Sequence, residues 1–369
     1  MTLLYTEVEE ELRASVRDLL ADRCGAAAVL GRVESEAPYD MGLWKTLSRD
    51  IGVAGLLVPE EYGGAGASAR EVAVVLEELG RAVAPLPFFT SSVLATTALL
   101  QAGEEDLIQE LASGETTAAL AVSLAASPYR PLPETVTVTD GLILNGEIRA
   151  VAGADVADVL LVPVGTVLYV VRTEDVRIDV VPSLDLTRPI ATVTFSGTPA
   201  GEAIGGFDAR RVLNLGAGLL ASEQLGVAEW CLGTTLAYIK ERHQFARPVG
   251  SFQAIKHRMA DLWLDVVRAR AAARNAADLL ATDSGPGASR DREAVRDREL
   301  AAAVATSWCS EVAVRVAEES VQLHGGIGMT WEHPLHLYLK RAKSTEIALG
   351  TPGAHREALA DLADLPGPA

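Results

Sequence analysis

The chain has 369 residues, a formal net charge of −18 and 49% hydrophobic residues. That length and apolar content can bury a large core divided among two or three domains, and the negative charge argues against nucleic acid or an anionic membrane surface as the main partner. The three cysteines, Cys24, Cys231 and Cys309, are odd in number and lack metal-ligand spacing, which fits a reducing cytoplasm and no metal site. The first residues, MTLLYTEVEEELRASV, are acidic and amphipathic rather than basic then apolar, so they do not read as a secretory signal. No apolar run reads as a membrane span.

Residues 1–116 read as helical. Glu7–Ala21 carries Val8, Leu12, Val16, Leu19 and Leu20 as an apolar stripe. Asp40–Ile51 reads as a second helix, and Gly52–Leu57 leads into Pro59-Glu60-Glu61-Tyr62-Gly63-Gly64-Ala65-Gly66. Those glycines serve either as a turn before a Ser68–Gly80 helix or as a substrate-facing loop. Pro85–Phe89 and helices through Leu111 complete a small bundle. Composition then shifts, and residues 117–206 are rich in Val, Thr, Leu, Pro and Gly in short runs. Thr135–Thr139, Leu142–Leu144, Val159–Val162, Val167–Val171 and Thr192–Phe195 read as strands. Asp140-Gly141 and Asn145-Gly146 read as hairpin dipeptides. Such a block between two helical regions predicts a compact antiparallel β domain, hence an α+β fold. Residues 207–369 return to helical periodicity over Val212–Tyr238, Ser251–Ala281, Arg290–Leu323 and Leu335–Ala348, which predicts a four-helix bundle that mediates oligomerisation. Ser284-Gly285-Pro286-Gly287 reads as an exposed bend.

The junction Tyr238–Trp263, YIKERHQFARPVGSFQAIKHRMADLW, stands out. Arg242 ends one helix, Pro248 disfavours helix at Arg247, and Ser251 is a candidate cap for the next. In that next helix Ile255, Met259, Leu262, Trp263 and Val266 recur at helical spacing. Arg242, Gln244, Arg247 and Gln253 are either ordinary surface groups or a set of donors gathered at one corner. Further on come Val321–Met329, VQLHGGIGM, and the stretch Glu332–Pro352, EHPLHLYLKRAKSTEIALGTP. Gly216-Ala217-Gly218-Leu219-Leu220-Ala221 mimics a dinucleotide fingerprint but lacks the βαβ context, so it reads as close helix packing. His324-Gly325-Gly326 has no Gly-x-Ser-x-Gly partner to make a hydrolase. His333 and His336 have no acidic cluster to complete a zinc site.

Taken together, the Arg-x-x-Phe run at Arg242–Phe245, the Phe252-Gln253 pair, the turn from Gln322 to Gly326 and the closing Gly350-Thr351 resemble the acyl-CoA dehydrogenase family, and the resemblance covers nearly the whole chain. Pro59–Gly64 is similar to that family's Pro-Glu-Glu-Tyr-Gly-Gly run, and the helical–β–helical layout is the family's own. The resemblance implies removal of a Cα proton from an acyl-CoA thioester while hydride passes from Cβ to flavin adenine dinucleotide (FAD), because no side chain accepts hydride. It further implies that Arg242 and Gln253 contact the dinucleotide. Gln322, His324, Gly325 and Gly326 would line its adenosine half, and Thr351 and Gly353 would sit at a helix N-terminus suited to phosphate, with Pro352 at its first position. In the family these groups largely reach a neighbouring subunit's flavin, so at least a dimer is expected.

Two departures qualify the resemblance. The family's closing Glu-Gly-Thr, whose glutamate is the α-proton base, reads Leu349-Gly350-Thr351 here, and the alternative base position falls near Gly216. Glu346, Glu223 and Asp208 are the nearest acids, each also readable as a helix-surface or capping carboxylate. In the β region, the runs that hold the flavin ring and phosphate read Val122–Pro128 and Arg149–Gly153. Ser123 can still give a hydrogen bond, but the family's tryptophan and acidic residues are absent. With His324–Gly328, Glu332–His336 and Ala348–Gly350, this asymmetry resembles one subunit of the actinobacterial acyl-CoA dehydrogenases of steroid side-chain catabolism, which assemble as α2β2 heterotetramers. The expected partners are an acyl-CoA substrate and a second chain of the family, with a homotetramer as the alternative. A subunit that only stabilises an active partner is the other reading.

Overall fold

A computed structural model describes residues 3–139, 141–283 and 291–365. The helical N-terminal region comprises α1 (Glu7–Arg23), α2 (Ala26–Val33), α3 (Met41–Thr46), α4 (Ala69–Ala82), α5 (Thr96–Ala102) and α6 (Asp106–Ser113). Thr6 and Glu9 form a reciprocal capping box at the start of α1. The apolar stripe of α1 starts later than its periodicity suggests: Val8 is 67% exposed and Glu9 is buried, because Arg70 reaches Glu9 at 2.6 Å. Asp40 caps α3, which runs on through a wider turn at Leu47–Ile51, so this pair spans the expected second helix. Gly64 is required by close approach, since a methyl group there would lie 2.1 Å from the Val58 carbonyl oxygen. That contact gives the Pro59–Gly66 loop a structural turn role.

The middle region forms two four-stranded sheets from β1 (Ala118–Leu120), β2 (Val136–Thr139), β3 (Ile143–Ala152), β4 (Val159–Val164), β5 (Val167–Arg172), β6 (Arg177–Val181), β7 (Ile190–Pro199) and β8 (Glu202–Gly205). Their orders are β1-β4-β5-β8 and β2-β3-β7-β6. All pairings are antiparallel except β1 with β4. Val136, Leu144, Leu160, Val162, Val193 and Phe195 pack together in a β-domain core. Asn145-Gly146 is not a hairpin. It lies inside β3 beside a register shift, where Gly146 at φ +138° faces the Thr135 carbonyl, 2.1 Å from where a Cβ would be. The β2–β3 turn instead uses Gly141 and Leu142, both at positive φ; Asp140 lies outside the described residues.

The C-terminal region holds α7 (Ala209–Glu241), α8 (Gln253–Leu280), α9 (Arg292–His324) and α10 (Leu335–Ile347), with a fifth helix, α11 (Pro352–Leu362), added to the expected four. Residues 284–290, including the Ser284–Gly287 bend, lie outside the described residues. An 18-residue window of the α9 segment reaches a mean hydropathy of 1.3, and 72% of it is buried in the fold, as befits a core helix. Helix α7 is buried on every side from Val212 to Ala228. Its glycines make this possible, and Gly216–Ala221 is close packing as the missing βαβ context implied. A methyl group on Gly218 would meet Leu280 at 2.6 Å and Ala302 at 3.0 Å. The crossing of α4 and α7 is reciprocal: Gly80 faces the Glu223 carbonyl oxygen at 2.1 Å and Gly226 faces that of Glu77 at 1.9 Å, each measured from a built Cβ.

Gly226→Ala should therefore destabilise the protein by about 2–3 kcal/mol through overpacking. Gly233→Ala, on the same helix with nothing within 4 Å, should be neutral or stabilise by up to about 1 kcal/mol. Denaturant unfolding of the two variants checks the contrast.

Candidate functional site

Helices α7 and α10 run antiparallel, and their contact line carries the site. At one end Trp230 and Tyr338 stack with ring centroids 3.5 Å apart. Next comes a buried ion cluster. Arg188 grips both carboxylate oxygens of Glu223, and Arg341 reaches Glu223 at 3.1 Å, Asp185 at 2.5 Å and Thr187 at 2.6 Å. Burial alone would raise the pKa of Glu223, but the guanidiniums of Arg188 and Arg341 outweigh it and hold the carboxyl below its ordinary value. Two cations and two carboxylates balance, so Glu223 is a structural anchor and not an available base. Glu346, 28% exposed at its side chain, faces Lys343 at 3.7 Å, and Lys343 also pairs with Glu318 of α9. Asp208 caps α7 through the Arg211 amide. The capping and surface readings hold for these two acids.

At the far end of the same line the two expected base positions touch each other. A methyl group built on Gly216 would lie 3.0 Å from Leu349 Cδ1 and 2.5 Å from Leu94 Cδ2. Leu349 is fully buried and adopts φ +52°, a left-handed conformation that costs a branched residue on the order of 1–2 kcal/mol. Its N–H donates to the Leu124 carbonyl at 2.8 Å, and the Leu124 N–H donates to the Ala150 carbonyl at 2.8 Å. Ala150 is also left-handed, at φ +57°. The three segments that carry the two departures, Leu349, Val122–Pro128 and Arg149–Gly153, are thus linked by backbone hydrogen bonds through Leu124. Ser123 Oγ accepts from the Ala125 amide at 3.3 Å, a bond that does not use its own O–H proton.

The donors gather at another place. Arg242 ends α7, and a tight hairpin of β9 (His243–Gln244) and β10 (Arg247–Pro248) turns through Phe245 and Ala246, both left-handed. Phe245 is 88% exposed, and Arg247 stacks over Phe252 at 3.9 Å. Ser251 does not cap α8: its hydroxyl donates to the Pro248 carbonyl, and Phe252 takes the cap position. Arg258 pairs with Glu319 and Arg315 with Asp265, so α8 and α9 are antiparallel and the start of α8 lies beside the end of α9. Tyr238 stacks on His324 at 4.3 Å, bringing the end of α7 to the same place. Arg242, Gln253, Gln322, His324, Gly325 and Gly326 therefore converge. Arg242, Gln253 and Gln322 are exposed, and Arg242 makes no ion pair among the described residues. His324 donates from Nδ1 to Ser320, leaving Nε2 a buried acceptor without a partner; burial lowers its pKa, so the ring is neutral near pH 7.

Thr351 and Gly353 form a second group, at the start of α11 beside Leu349. Thr351 Oγ1 accepts from the Ala354 amide, with Pro352 in the first turn. The fit to FAD is divided. The exposed cation and the amide side chains at the end of α7 suit a dinucleotide diphosphate. The place where the end of α10 meets the β region does not suit a flavin ring, because the Leu349 N–H there donates directly to the Leu124 carbonyl. Sequence reasoning missed Arg188, Asp185 and Arg341, whose partners lie far away in the chain.

Comparison with known proteins places these features in a family. The acyl-CoA dehydrogenase N-terminal domain model matches residues 6–115 and the C-terminal domain model matches residues 205–363. Acyl-CoA dehydrogenase IpdE2 of Mycolicibacterium smegmatis is 37% identical over 94% of this chain and 96% of its own length. Acyl-CoA dehydrogenase FadE27 of Mycobacterium tuberculosis is 32% identical over 99% of this chain and 100% of its own. Among solved structures, the ChsE4-ChsE5 complex from Mycobacterium tuberculosis superposes with a TM-score of 0.85 at 29% identity, covering 100% of both chains. The steroid acyl-CoA dehydrogenase Tcur3481-Tcur3483 gives a TM-score of 0.82 at 30% identity over 97% of this chain and 98% of the other.

Glu223→Gln should cost about 3 kcal/mol or more, because it leaves two buried guanidiniums short of charge. The folded pKa of Glu223 lies below its unfolded value, so its contribution is complete above about pH 4.3 and is lost as pH falls through the folded pKa. Unfolding curves of the wild type and Glu223→Gln should converge in that acid range. Glu346→Gln should stay within about 0.5 kcal/mol of the wild type.

Proposed function

From the premise that this chain belongs to the acyl-CoA dehydrogenase family, we propose that it serves FAD-dependent α,β-dehydrogenation of an acyl-CoA thioester as one half of a heteromeric complex. A second chain of the family supplies the base and the ring pocket. The observation that carries the reading is the contact of Leu349 with Gly216. Both positions where the family would place a base are apolar here and fill each other's space. The Leu349 N–H is committed to Leu124, so the nearest backbone donor is also closed to an acyl carbonyl that must be polarised before its α-proton is acidic.

When bound, FAD accepts the hydride from the acyl Cβ. The work assigned to this chain is to hold the dinucleotide from across the interface. Arg242 offsets the diphosphate charge, Gln253 and Gln322 donate from their amides, and Gly325 and Gly326 let backbone approach the adenosine half. Thr351 and Gly353 start α11 beside Leu349, which packs on Gly216, roughly 39 Å along α7 from Arg242 at 1.5 Å per residue, so they take no part in holding that same diphosphate. Two facts favour this over a subunit that never touches the cofactor: these polar groups are exposed, and Arg242 has no ion-pair partner of its own among the described residues. The exposed Phe245, Trp263, Met329 and Trp331 are apolar surface of the kind a subunit interface covers. The steroid acyl-CoA dehydrogenase Tcur3481-Tcur3483 and the ChsE4-ChsE5 complex, each named for two chains, support a steroid-type acyl group and a pairing of unequal chains. All three cysteines are buried and free, in keeping with a reducing compartment such as the cytoplasm.

The test is to purify the chain alone and co-expressed with a second acyl-CoA dehydrogenase-like chain, recording flavin absorbance and dehydrogenation. The chain alone should be colourless, and the complex should carry about one flavin for every two chains, one per pseudo-symmetric interface. Arg242→Ala should lower that flavin content, whereas Glu346→Gln should leave turnover unchanged. A yellow, active homotetramer with a flavin in every chain would overturn the reading.

A further inference from the structure

Three histidines gather at the Arg242 end of the bundle, His324 at the end of α9 and His333 and His336 around the start of α10. They make no metal centre: among the described residues no group of three His, Cys, Asp or Glu side chains is arranged to hold an ion. What they share is a turn. The His324 and His333 ring centroids are 4.7 Å apart, and the chain between them carries Gly325, Gly326 and the exposed Ile327, Met329 and Trp331.

Hydrogen bonding fixes the tautomer of each ring. The Ser320 carbonyl can only accept, so His324 donates to it from Nδ1 at 2.7 Å and its Nε2 is bare. The Leu335 N–H can only donate, so His333 accepts it at Nδ1, at 3.3 Å, and carries its own proton on Nε2. The Trp331 carbonyl accepts from His336 Nε2 at 3.1 Å, which leaves that ring's Nδ1 bare. In each ring the nitrogen left to be protonated is badly placed for a proton. His324 Nε2 and His336 Nδ1 are buried without a partner, and a proton on His333 Nδ1 would point at the Leu335 N–H. Burial accordingly lowers all three pKa values, and His324 and His336 lower that of His333 further. The surroundings do little to offset this. Trp331 stacks on His336 at 4.2 Å, and the Lys340 ammonium lies over the same indole at 4.2 Å and also lowers the His336 pKa. Glu34, at the end of α2, accepts from Trp331 Nε1 at 2.6 Å. Glu332 is held by its own amide and by Thr330, and Asp185 acts on Lys340. Tyr238, near the end of α7, stacks on His324 and donates its hydroxyl to the His324 carbonyl.

We propose that His324, His333 and His336 are positioning residues that clasp the Gly325–Pro334 turn only while all three are neutral, so that this chain's hold on the flavin dinucleotide loosens as the medium acidifies. The proposal rests on the reading that this chain clasps FAD through Arg242 and the Gly325-Gly326 backbone. Below the ordinary histidine pKa of about 6.5, an imidazole in a released turn takes up a proton that the clasped ring refuses. The clasp is therefore complete above that value and is lost as pH falls below it. Each ring protonated only in the released turn weakens the clasped state about tenfold between pH 7.5 and 5.5.

The experiment uses the heteromeric complex. FAD retention is followed by the fluorescence of released flavin, and amide exchange at residues 325–335, corrected for its intrinsic pH dependence, is followed without FAD. Wild-type retention should be about tenfold or more weaker at pH 5.5 than at pH 7.5, with faster exchange in the turn at the lower pH. The double variant His333→Asn/His336→Gln keeps an acceptor for the Leu335 N–H and a donor for the Trp331 carbonyl without a titrating ring. Its ratio of retention at the two pH values should be smaller than the wild-type ratio by about fivefold or more. The ratio is taken within each variant, so a change in retention at pH 7.5 does not enter it. His243→Gln, on the exposed hairpin beside Arg242, is the control. A ratio abolished by that variant and kept in the double variant would overturn the proposal. So would a wild-type ratio near one, or turn exchange that responds to pH while retention does not. Arg242→Ala at pH 7.5 separates the failures. If it leaves FAD retention unchanged, the reading that this chain clasps the cofactor falls; if it loses FAD while the wild-type ratio stays near one, only the histidine clasp falls.

Discussion

Helix α7 is buried on all sides, and that constraint organises the chain. A helix with neighbours around its whole circumference must give up side-chain volume wherever another backbone comes close, and α7 does so at Gly216, Gly218 and Gly226. Gly226 seats the N-terminal helices through α4, and Gly218 seats α8 and α9. Gly216 admits Leu94 and Leu349, which places the end of α10 against the β-domain segment. The buried pairing of Arg188 and Arg341 with Glu223 fastens the β-domain stretch around Asp185 and Thr187 to the same helix. Charges so deeply placed are stable only because each has its opposite.

The division of labour at the site follows from that packing. Leu349 and Ala150 both hold left-handed conformations that ordinary residues avoid, and the backbone bonds through Leu124 hold them there. A chain free to open this contact would have cheaper choices at those positions. The opposite end of the bundle is built differently: an exposed arginine, two exposed amide side chains and a glycine turn lie on the surface above a buried, neutral histidine. One face of the protein is thus sealed and the other is open to a partner. In a closed symmetric assembly of identical chains every site would combine the sealed half with the open half; pairing with an unequal chain avoids that.

Much of this was legible in the sequence because helical periodicity survives over long spans. The four long helices, the composition shift near residue 117 and the family motifs at Arg242–Phe245 and Gln322–Gly326 needed no structure. Local signals did worse where a tertiary contact decided the outcome. Asn145-Gly146 has hairpin chemistry, yet β3 continues through it because Gly146 is needed against Thr135. Val8 fits the apolar stripe of α1 but is exposed, and Glu9, paired with Arg70, is buried in its place, while Val16 and Leu20 bury as the stripe predicts. Ser251 has the right side chain for a cap, yet its hydroxyl turns back to Pro248. The loss of the base was readable at Leu349 and Gly216, whereas their mutual contact was not, because they are remote in sequence.

On this reading Leu124 and Leu349 close this chain's own ring position by bonding to each other, and the flavin that the chain clasps has its ring in another chain. A density map of the assembled, flavin-loaded complex tests this directly. The account predicts ring density only in the partner's cleft, with the Leu349–Leu124 hydrogen bond intact and Arg242 facing the diphosphate across the interface. Ring density between Leu124 and Leu349 of this chain would contradict it.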